Sequence, residues 1–163
     1  MKPIPIEPEP GQESVWDYPR PPRVEQSDRH VVVRFGDKVV AETKHAIRVL
    51  ETSHPPSYYI PPGDVQAALQ RAIPGSTLCE WKGQASYFDL LVSGELLSRV
   101  AWTYQNPSPT FKVIAGYLAF YPGKVECYVA GERVQPQPGG FYGGWITSDV
   151  VGPFKGEPGT HSW

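Results

Sequence analysis

The chain has 163 residues, which is enough for one domain with a substantial hydrophobic core. Its formal net charge of −2 and its charged fraction of 20% argue against the concentrated basic patch that nucleic-acid binding needs. The sequence also has no basic run of the kind that binds membrane surfaces. We therefore expect neither a nucleic-acid partner nor a membrane partner.

The first 29 residues form a proline-rich arm in this interpretation. Proline fixes φ and lacks a backbone donor, so we expect an extended segment that is neither a helix nor a strand of a sheet. Trp16 and Tyr18 are the candidate anchors of the arm. Residues 30–163 are expected to form a single β-domain.

Period-two alternation and closely spaced turns predict short strands through most of this domain. Residues 30–35 and 38–42 flank Gly36-Asp37 and predict a hairpin, and residues 117–121 and 125–129 predict a second one. Other strands are predicted over residues 46–50, 58–60, 77–81, 85–92 and 99–104.

One short helix is predicted over residues 64–71. Asp64 suits its first turn, Arg71 suits its last, and Pro74-Gly75 would end it. The expected fold class is therefore mostly β: one small, curved, antiparallel β-domain with a single short helix.

The last segment, residues 135–163, is rich in glycine and proline but also in aromatic residues. A solvated tail would not need so many large rings, so we expect it to pack back on the sheet. The run from Gly139 to Trp145 lacks the Lys-Ser/Thr ending of a phosphate-binding loop. Its glycines are interpreted as allowing tight turns.

Cys79 and Cys127 have neither metal-binding nor redox spacing, and the four histidines are scattered. We expect two reduced thiols, no metal site and no cofactor. The N-terminal residues lack the apolar core of a secretory signal. These features predict a soluble, cytoplasmic protein.

His54 is the first candidate for chemistry. Pro55 and Pro56 make the backbone beside it rigid, and Glu51 lies three residues earlier, where it could orient the ring. Imidazole titrates near neutral pH and can transfer protons. The structural alternative is that it caps a backbone group where a strand ends.

Lys82 is the second candidate, because Gly83 beside it permits close approach of an anionic ligand. The alternative is a solvated lysine in a turn. Ser86 and Tyr87 face opposite ways on one strand, so only one of them can share a pocket with Lys82. Ser86 as a nucleophile would need an adjacent base.

Arg48 is a charge within an apolar strand. It either pairs with Glu51 at the surface or projects into a polar cavity. The candidate catalytic residues are thus His54, Lys82 and Ser86. The wider predicted ligand-binding set is Arg48, Glu51, His54, Tyr59, Trp81, Lys82, Ser86 and Tyr87.

Four segments of the chain form a recognisable combination. They are Glu51-x-x-His-Pro-Pro-x-Tyr-Tyr, Trp81-Lys-Gly-x-Ala-x-Tyr, Ala101-Trp-x-Tyr and Gly116-Tyr-x-Ala-Phe-Tyr. Together they resemble the domain of unknown function 427 family, over residues 14–163. The resemblance implies a small β-domain of the β-tent type and leaves the function unassigned. A nucleotidyltransferase-like name is sometimes attached to the family, but the Asp-x-Asp pair that would hold Mg²⁺ is missing from this sequence.

Three functions remain open at this stage. The first is binding of a small molecule, with an anion as one option, in a cleft at the four segments. The second is a small enzyme with His54 as acid or base and Lys82 as anion stabiliser. The third is a protein-interaction module that presents the tryptophans of the tail.

Overall fold

A computed structural model describes residues 3–79 and 82–163, with residues 71–79 described by their backbone. In this part of the chain, three short 3₁₀ helices occupy Val15–Asp17, Pro62–Asp64 and Pro109–Ile114. Within the described residues there are fifteen strands: β1 Glu13–Ser14, β2 Arg23–Gln26, β3 Val31–Phe35, β4 Lys38–Thr43, β5 Ile47–Leu50, β6 Ser57–Tyr59, β7 Leu69–Cys79, β8 Gly83–Val92, β9 Glu95–Tyr104, β10 Ala119–Phe120, β11 Glu126–Val129, β12 Glu132–Arg133, β13 Gln135–Pro136, β14 Trp145–Ile146 and β15 Val150–Val151.

The strands form several small sheets, and the mostly-β class is confirmed. Two sheets have four strands, in the orders β12-β11-β3-β4 and β10-β9-β8-β7. A third has the order β2-β5-β6, and the pairs β1-β15 and β13-β14 complete the set. Among the described residues, all pairings between strands are antiparallel except that of β1 with β15.

Each four-stranded sheet contains a hairpin; the one formed by β3 and β4 is predicted as such by the sequence, and the strands of the other are predicted individually. The β3-β4 hairpin turns at Gly36, which has φ of +58°. The longer β8-β9 hairpin turns at Ser93-Gly94, where both residues have positive φ. Two residues of positive φ give a turn whose twist matches that of the flanking strands.

The main core lies between these two sheets. Val31 and Val33 of β3 are fully buried, and Val100 and Phe120 pack in the same cluster from the other sheet. Trp145 of the tail completes the cluster: its ring stacks on Tyr58 at 4.8 Å, and its Nε1 donates to the carbonyl of Phe120 at 2.9 Å. The tail is thus part of the core.

The predicted helix over residues 64–71 is wrong. A 3₁₀ turn ends at Asp64, and the long strand β7 begins at Leu69. Between them, the amides of Gln66 and Ala67 donate to the carbonyl of Val40 on the edge of β4. These long-range bonds replace the local hydrogen bonds that a helix would need.

The second predicted hairpin is also wrong. Its two halves join different sheets, because β10 pairs with β9 whereas β11 pairs with β3. The turn between them at residues 122–124 therefore connects the two four-stranded sheets. A turn signal shows where the chain reverses but does not select the partner of each strand.

The arm likewise departs from the prediction that it stays outside the sheets, because β2 pairs with β5 along four residues. Trp16 donates from Nε1 to the carbonyl of Pro153 at 2.8 Å. Tyr18 is buried, and its hydroxyl donates to Glu13 at 2.8 Å. Both ends of the chain consequently meet on one side of the domain.

Candidate functional site

A cavity of about 390 Å³ lies between the three-stranded sheet and β8-β9, beneath the tail. Strand alternation decides which side chains line it. On β5 and just beyond it, Val49 and Glu51 face the cavity, whereas Arg48 does not. Tyr87 of β8 and Trp102 of β9 are directly paired neighbours, and both line the wall.

His54 lies at the edge of this cavity in the turn between β5 and β6. The turn is held by both ends of the chain: the amide of Ser53 donates to the carbonyl of Val15 at 3.0 Å, and its carbonyl accepts from the amide of Lys155 at 2.8 Å. Ser53 has φ of +70°, a sparsely populated region for a residue with a side chain. The ring is thus placed by contacts remote in sequence.

The tautomer of His54 follows from its hydrogen bond. Nδ1 lies 2.9 Å from the carbonyl oxygen of Thr52, which can only accept, so Nδ1 carries the proton. In the neutral ring, Nε2 is then the nitrogen with a lone pair. Burial lowers the pKa of His54, Glu51 opposes this, and Lys155 and Arg20 add to it. The imidazole is therefore neutral at pH 7 and can accept a proton or a hydrogen bond.

Two lysines approach the cavity from different segments. Lys82, in the connection before β8, is 9% exposed, and its Nζ lies 5.8 Å from the ring centroid of Tyr104. Lys155 of the tail places its Nζ 5.7 Å from the ring centroid of Tyr142. A cation over a ring face is stabilised by the ring's quadrupole. Both lysines therefore give the site positive charge.

The tail forms the roof of the cavity. Buried Gln137 joins its two segments: Oε1 accepts from the amide of Gly144 at 3.1 Å, and Nε2 donates to the carbonyl of Lys155 at 2.8 Å. Phe141 and Tyr142 also line the cavity. Sequence reasoning missed the lining side chains of Gln137, Phe141, Tyr142 and Lys155, although the aromatic content of the tail was a signal that it covers part of the domain.

Aromatic rings make up much of the wall. The indole Nε1 of Trp102 donates to the hydroxyl of Tyr59 at 3.2 Å. Burial raises the pKa of Tyr121, and the neighbouring Tyr87, with which its hydroxyl is hydrogen-bonded, raises it further. The phenol of Tyr121 is therefore neutral at pH 7 and offers a hydroxyl group within the aromatic part of the wall.

The predicted site residues are only partly brought together. Glu51, His54, Tyr59, Lys82 and Tyr87 line one cavity. Trp81 lies outside the described residues.

Arg48 and Ser86 are placed elsewhere. Arg48 is buried on the opposite face of β5, where its guanidinium pairs with Glu25 at 2.6 Å and Glu13 at 3.1 Å. The cavity wall does not include Ser86, which pairs with Thr103 on the opposite face of β8-β9. Neither alternative considered for Arg48, a pair with Glu51 or a position in the cavity, is correct.

Two kinds of feature, a metal-binding cluster and a membrane-spanning helix, are absent from the described part of the chain. It contains no group of three His, Cys, Asp or Glu side chains that could hold a metal ion. It also contains no helix long and apolar enough to cross a membrane.

The fold and the site define a small, mostly-β protein with an aromatic-walled cavity that carries two lysines and a neutral histidine. The family model described as "Domain of unknown function (DUF427)" matches residues 23–131, and the chain belongs to this family. Among curated proteins none matches the chain.

Proposed function

We propose that the protein binds a small organic molecule with an anionic group in the cavity. The observation that carries this proposal is convergence: each of the four segments singled out in the sequence contributes a lining side chain. Examples are His54, Lys82, Trp102 and Tyr121, which come from four distant parts of the chain. If the four segments were separate turns, each with only local contacts, we would not expect their side chains to line one cavity.

The size and chemistry of the cavity support the same proposal. A volume of about 390 Å³ lies in the range of pockets that hold small ligands. Such pockets combine apolar walls with a few convergent polar groups, as this one does with its aromatic wall, Lys82, Lys155 and His54. We place this function in the reducing cytoplasm, in keeping with the free, buried thiol of Cys127.

The proposal is tested by analysing small molecules that remain bound during purification. A Ser57→Phe variant places a ring in the cavity, since Ser57 lines it. The matched control is Ser98→Phe, at an exposed position on β9. We expect mass spectrometry of extracts to show a compound present in the wild type and the control but lost in Ser57→Phe. Identical extracts from all three proteins would contradict ligand binding in this cavity.

A second candidate is an enzyme in which His54 acts as acid or base and Lys82 stabilises an anion. The observation that favours it is the fixed tautomer of His54, which leaves Nε2 able to accept a proton. If the retained compound is converted by the wild type and not by His54→Gln, the protein is an enzyme. If His54→Gln only changes affinity, it is a binding protein.

The interaction-module alternative has less support. The tail's Trp145 is fully buried, and its Trp163 packs edge-to-face on Trp16 with ring centroids 5.4 Å apart. Both tryptophans therefore make contacts within the chain.

A further inference from the structure

His54 has a hydrogen-bond acceptor that no group of the described chain uses. Because the Nδ1 proton is donated to the carbonyl of Thr52, the neutral ring keeps its lone pair on Nε2, which has no partner among the described residues. In the same part of the chain, no buried side-chain nitrogen or oxygen lacks a hydrogen-bond partner, so Nε2 is accessible. The ring lines the cavity, and a molecule bound there can therefore reach this atom.

Glu51 supplies a second open acceptor beside His54. Its Oε2 lies 3.8 Å from Nε of Arg20 and 4.0 Å from Nδ1 of His54, and both distances exceed those of a hydrogen bond. These contacts balance the charge of the carboxylate without using its hydrogen-bonding capacity. Glu51 also lines the cavity, so two neighbouring groups of its wall can accept a hydrogen bond from a bound molecule.

Several donors of the cavity wall, by contrast, are engaged within the chain. The indole Nε1 of Trp102 donates to the hydroxyl of Tyr59 at 3.2 Å. Nε2 of Gln137 donates to the carbonyl of Lys155 at 2.8 Å, and Nζ of Lys155 donates to the carbonyl of Trp163 at 3.4 Å. A ligand meets these groups with part of their capacity already used, whereas the two acceptors are open.

From this contrast we infer that the ligand donates a hydrogen bond, from a hydroxyl or an N–H group, to Nε2 of His54. This inference rests on the proposed binding function and specifies a second group of the same ligand, in addition to its anionic group. The neutral ring can only accept at Nε2, so a ligand with an ether or a ketone at this place would leave the nitrogen without a partner. A site built to bond an O–H or N–H group rejects analogues that lack it.

The probes keep a carboxylate and a saturated ring constant and change only the donor. The compound trans-4-hydroxycyclohexanecarboxylate offers an O–H group, and trans-4-acetamidocyclohexanecarboxylate offers an N–H group; their controls carry a methyl group in place of the donor hydrogen. By isothermal titration calorimetry we expect at least one donor probe to bind about tenfold more tightly than its methylated control. The pair with the larger difference identifies the donor. Equal affinities within both pairs, or no binding by any probe, would overturn the inference.

Nuclear magnetic resonance of the His54 ring separates a hydrogen bond from a steric effect of the methyl group. In protein labelled with ¹⁵N in its histidines, we expect Nδ1 of His54 to be the protonated ring nitrogen at pH 7.5. The preferred donor probe should shift the ¹⁵N signal of Nε2 towards that of a protonated nitrogen, whereas its methylated control should not. A bound donor probe that leaves the Nε2 signal unchanged would contradict the assignment.

Two substitutions of His54 locate the acceptor. The amide of His54→Asn can still donate to the carbonyl of Thr52 but does not extend to the position of Nε2, whereas the longer side chain of His54→Gln can place its oxygen there. We expect the preference for the donor probe to disappear in His54→Asn, a loss of about tenfold, and to be kept in part in His54→Gln. His45→Asn, at an exposed position outside the cavity, is the matched control and should leave the preference unchanged. A full preference in His54→Asn would show that the donor binds elsewhere.

Failure of this inference is distinguishable from failure of the proposed function. A compound that is retained by the wild type and lost from Ser57→Phe would establish binding in the cavity whatever the four probes show. In that case, equal affinities within the probe pairs would remove the donor to His54 and leave the binding function in place. Identical extracts from the wild type and Ser57→Phe would remove the binding function itself.

Discussion

The Nδ1 atom of His54 lies 2.9 Å from the carbonyl oxygen of Thr52, and this contact holds the partly buried imidazole in one tautomer. Burial lowers the pKa of His54 below its ordinary value of 6.5, so protonation is less favourable in the folded chain than in the unfolded chain.

A dependence of stability on pH follows from this lowered pKa. As pH falls through 6.5 the unfolded state takes up the proton first, so the free energy of unfolding decreases until pH passes the folded pKa. At pH values well above 6.5 the ring is neutral in both states, so His54 does not reduce the free energy of unfolding there. We expect urea denaturation to show a smaller decrease between pH 7.5 and pH 5.5 in His54→Asn than in the wild type. Equal decreases would contradict a lowered pKa.

Arg48 provides a test that separates stability from ligand binding. Arg48→Met removes the pairs with Glu13 and Glu25, whose carboxylates are partly exposed and can be rehydrated. We expect a loss of about 1–3 kcal/mol in the free energy of unfolding. Affinity for a cavity ligand should stay within a factor of about two, because Arg48 lies on the opposite face of β5. A large loss of affinity with unchanged stability would reverse this assignment.

Trp145 makes the tail part of the folded core. Trp145→Ala removes a fully buried ring, its stacking on Tyr58 and its hydrogen bond to Phe120, so we expect a loss of about 3–5 kcal/mol. Phe141→Ala, in the same tail but 72% exposed, should change stability by less than about 0.5 kcal/mol. Thermal or urea denaturation measures both. Similar small effects would show that the tail is dispensable for folding.

Alanine substitutions at two neighbouring glycines distinguish the cost of backbone strain from the cost of a steric clash. Gly139 and Gly140 both have positive φ, at +92° and +74°. A Cβ at Gly139 would lie 2.1 Å from the carbonyl oxygen of Gly156, whereas one at Gly140 would meet nothing within 4 Å. We expect Gly140→Ala to cost about 1–2 kcal/mol and Gly139→Ala about 1–3 kcal/mol more. Equal costs would mean that the two tail segments are not in close contact.

Cys127 should be unreactive in the folded protein. It is fully buried on β11, and burial raises the pKa of its thiol, so little thiolate forms at neutral pH. We expect iodoacetamide to label Cys127 only after denaturation, as followed by peptide mapping. Rapid labelling under native conditions would show that β11 opens readily.

The sequence by itself determined the strands and turns whose signals lie within a few neighbouring residues. The β3-β4 hairpin follows from alternating valines and a glycine turn, and these act over a few residues. Alternation also implied that Tyr87 and Ser86 lie on opposite faces, and Tyr87 is the one in the cavity. The same rule, applied to β5, separates Arg48 from Glu51, because they are three positions apart along an extended chain.

The tertiary structure decided what depends on distant partners. Residues 64–71 have helical signals, yet Gln66 and Ala67 donate to Val40 because the edge of β4 offers acceptors that local sequence does not reveal. Lys155 enters the site for a similar reason: its amide bonds to Ser53, about a hundred residues earlier. Local patterns specify extended backbone and turns, whereas strand partners and the roof of the cavity are set by which long-range pairings satisfy the backbone and bury the rings together.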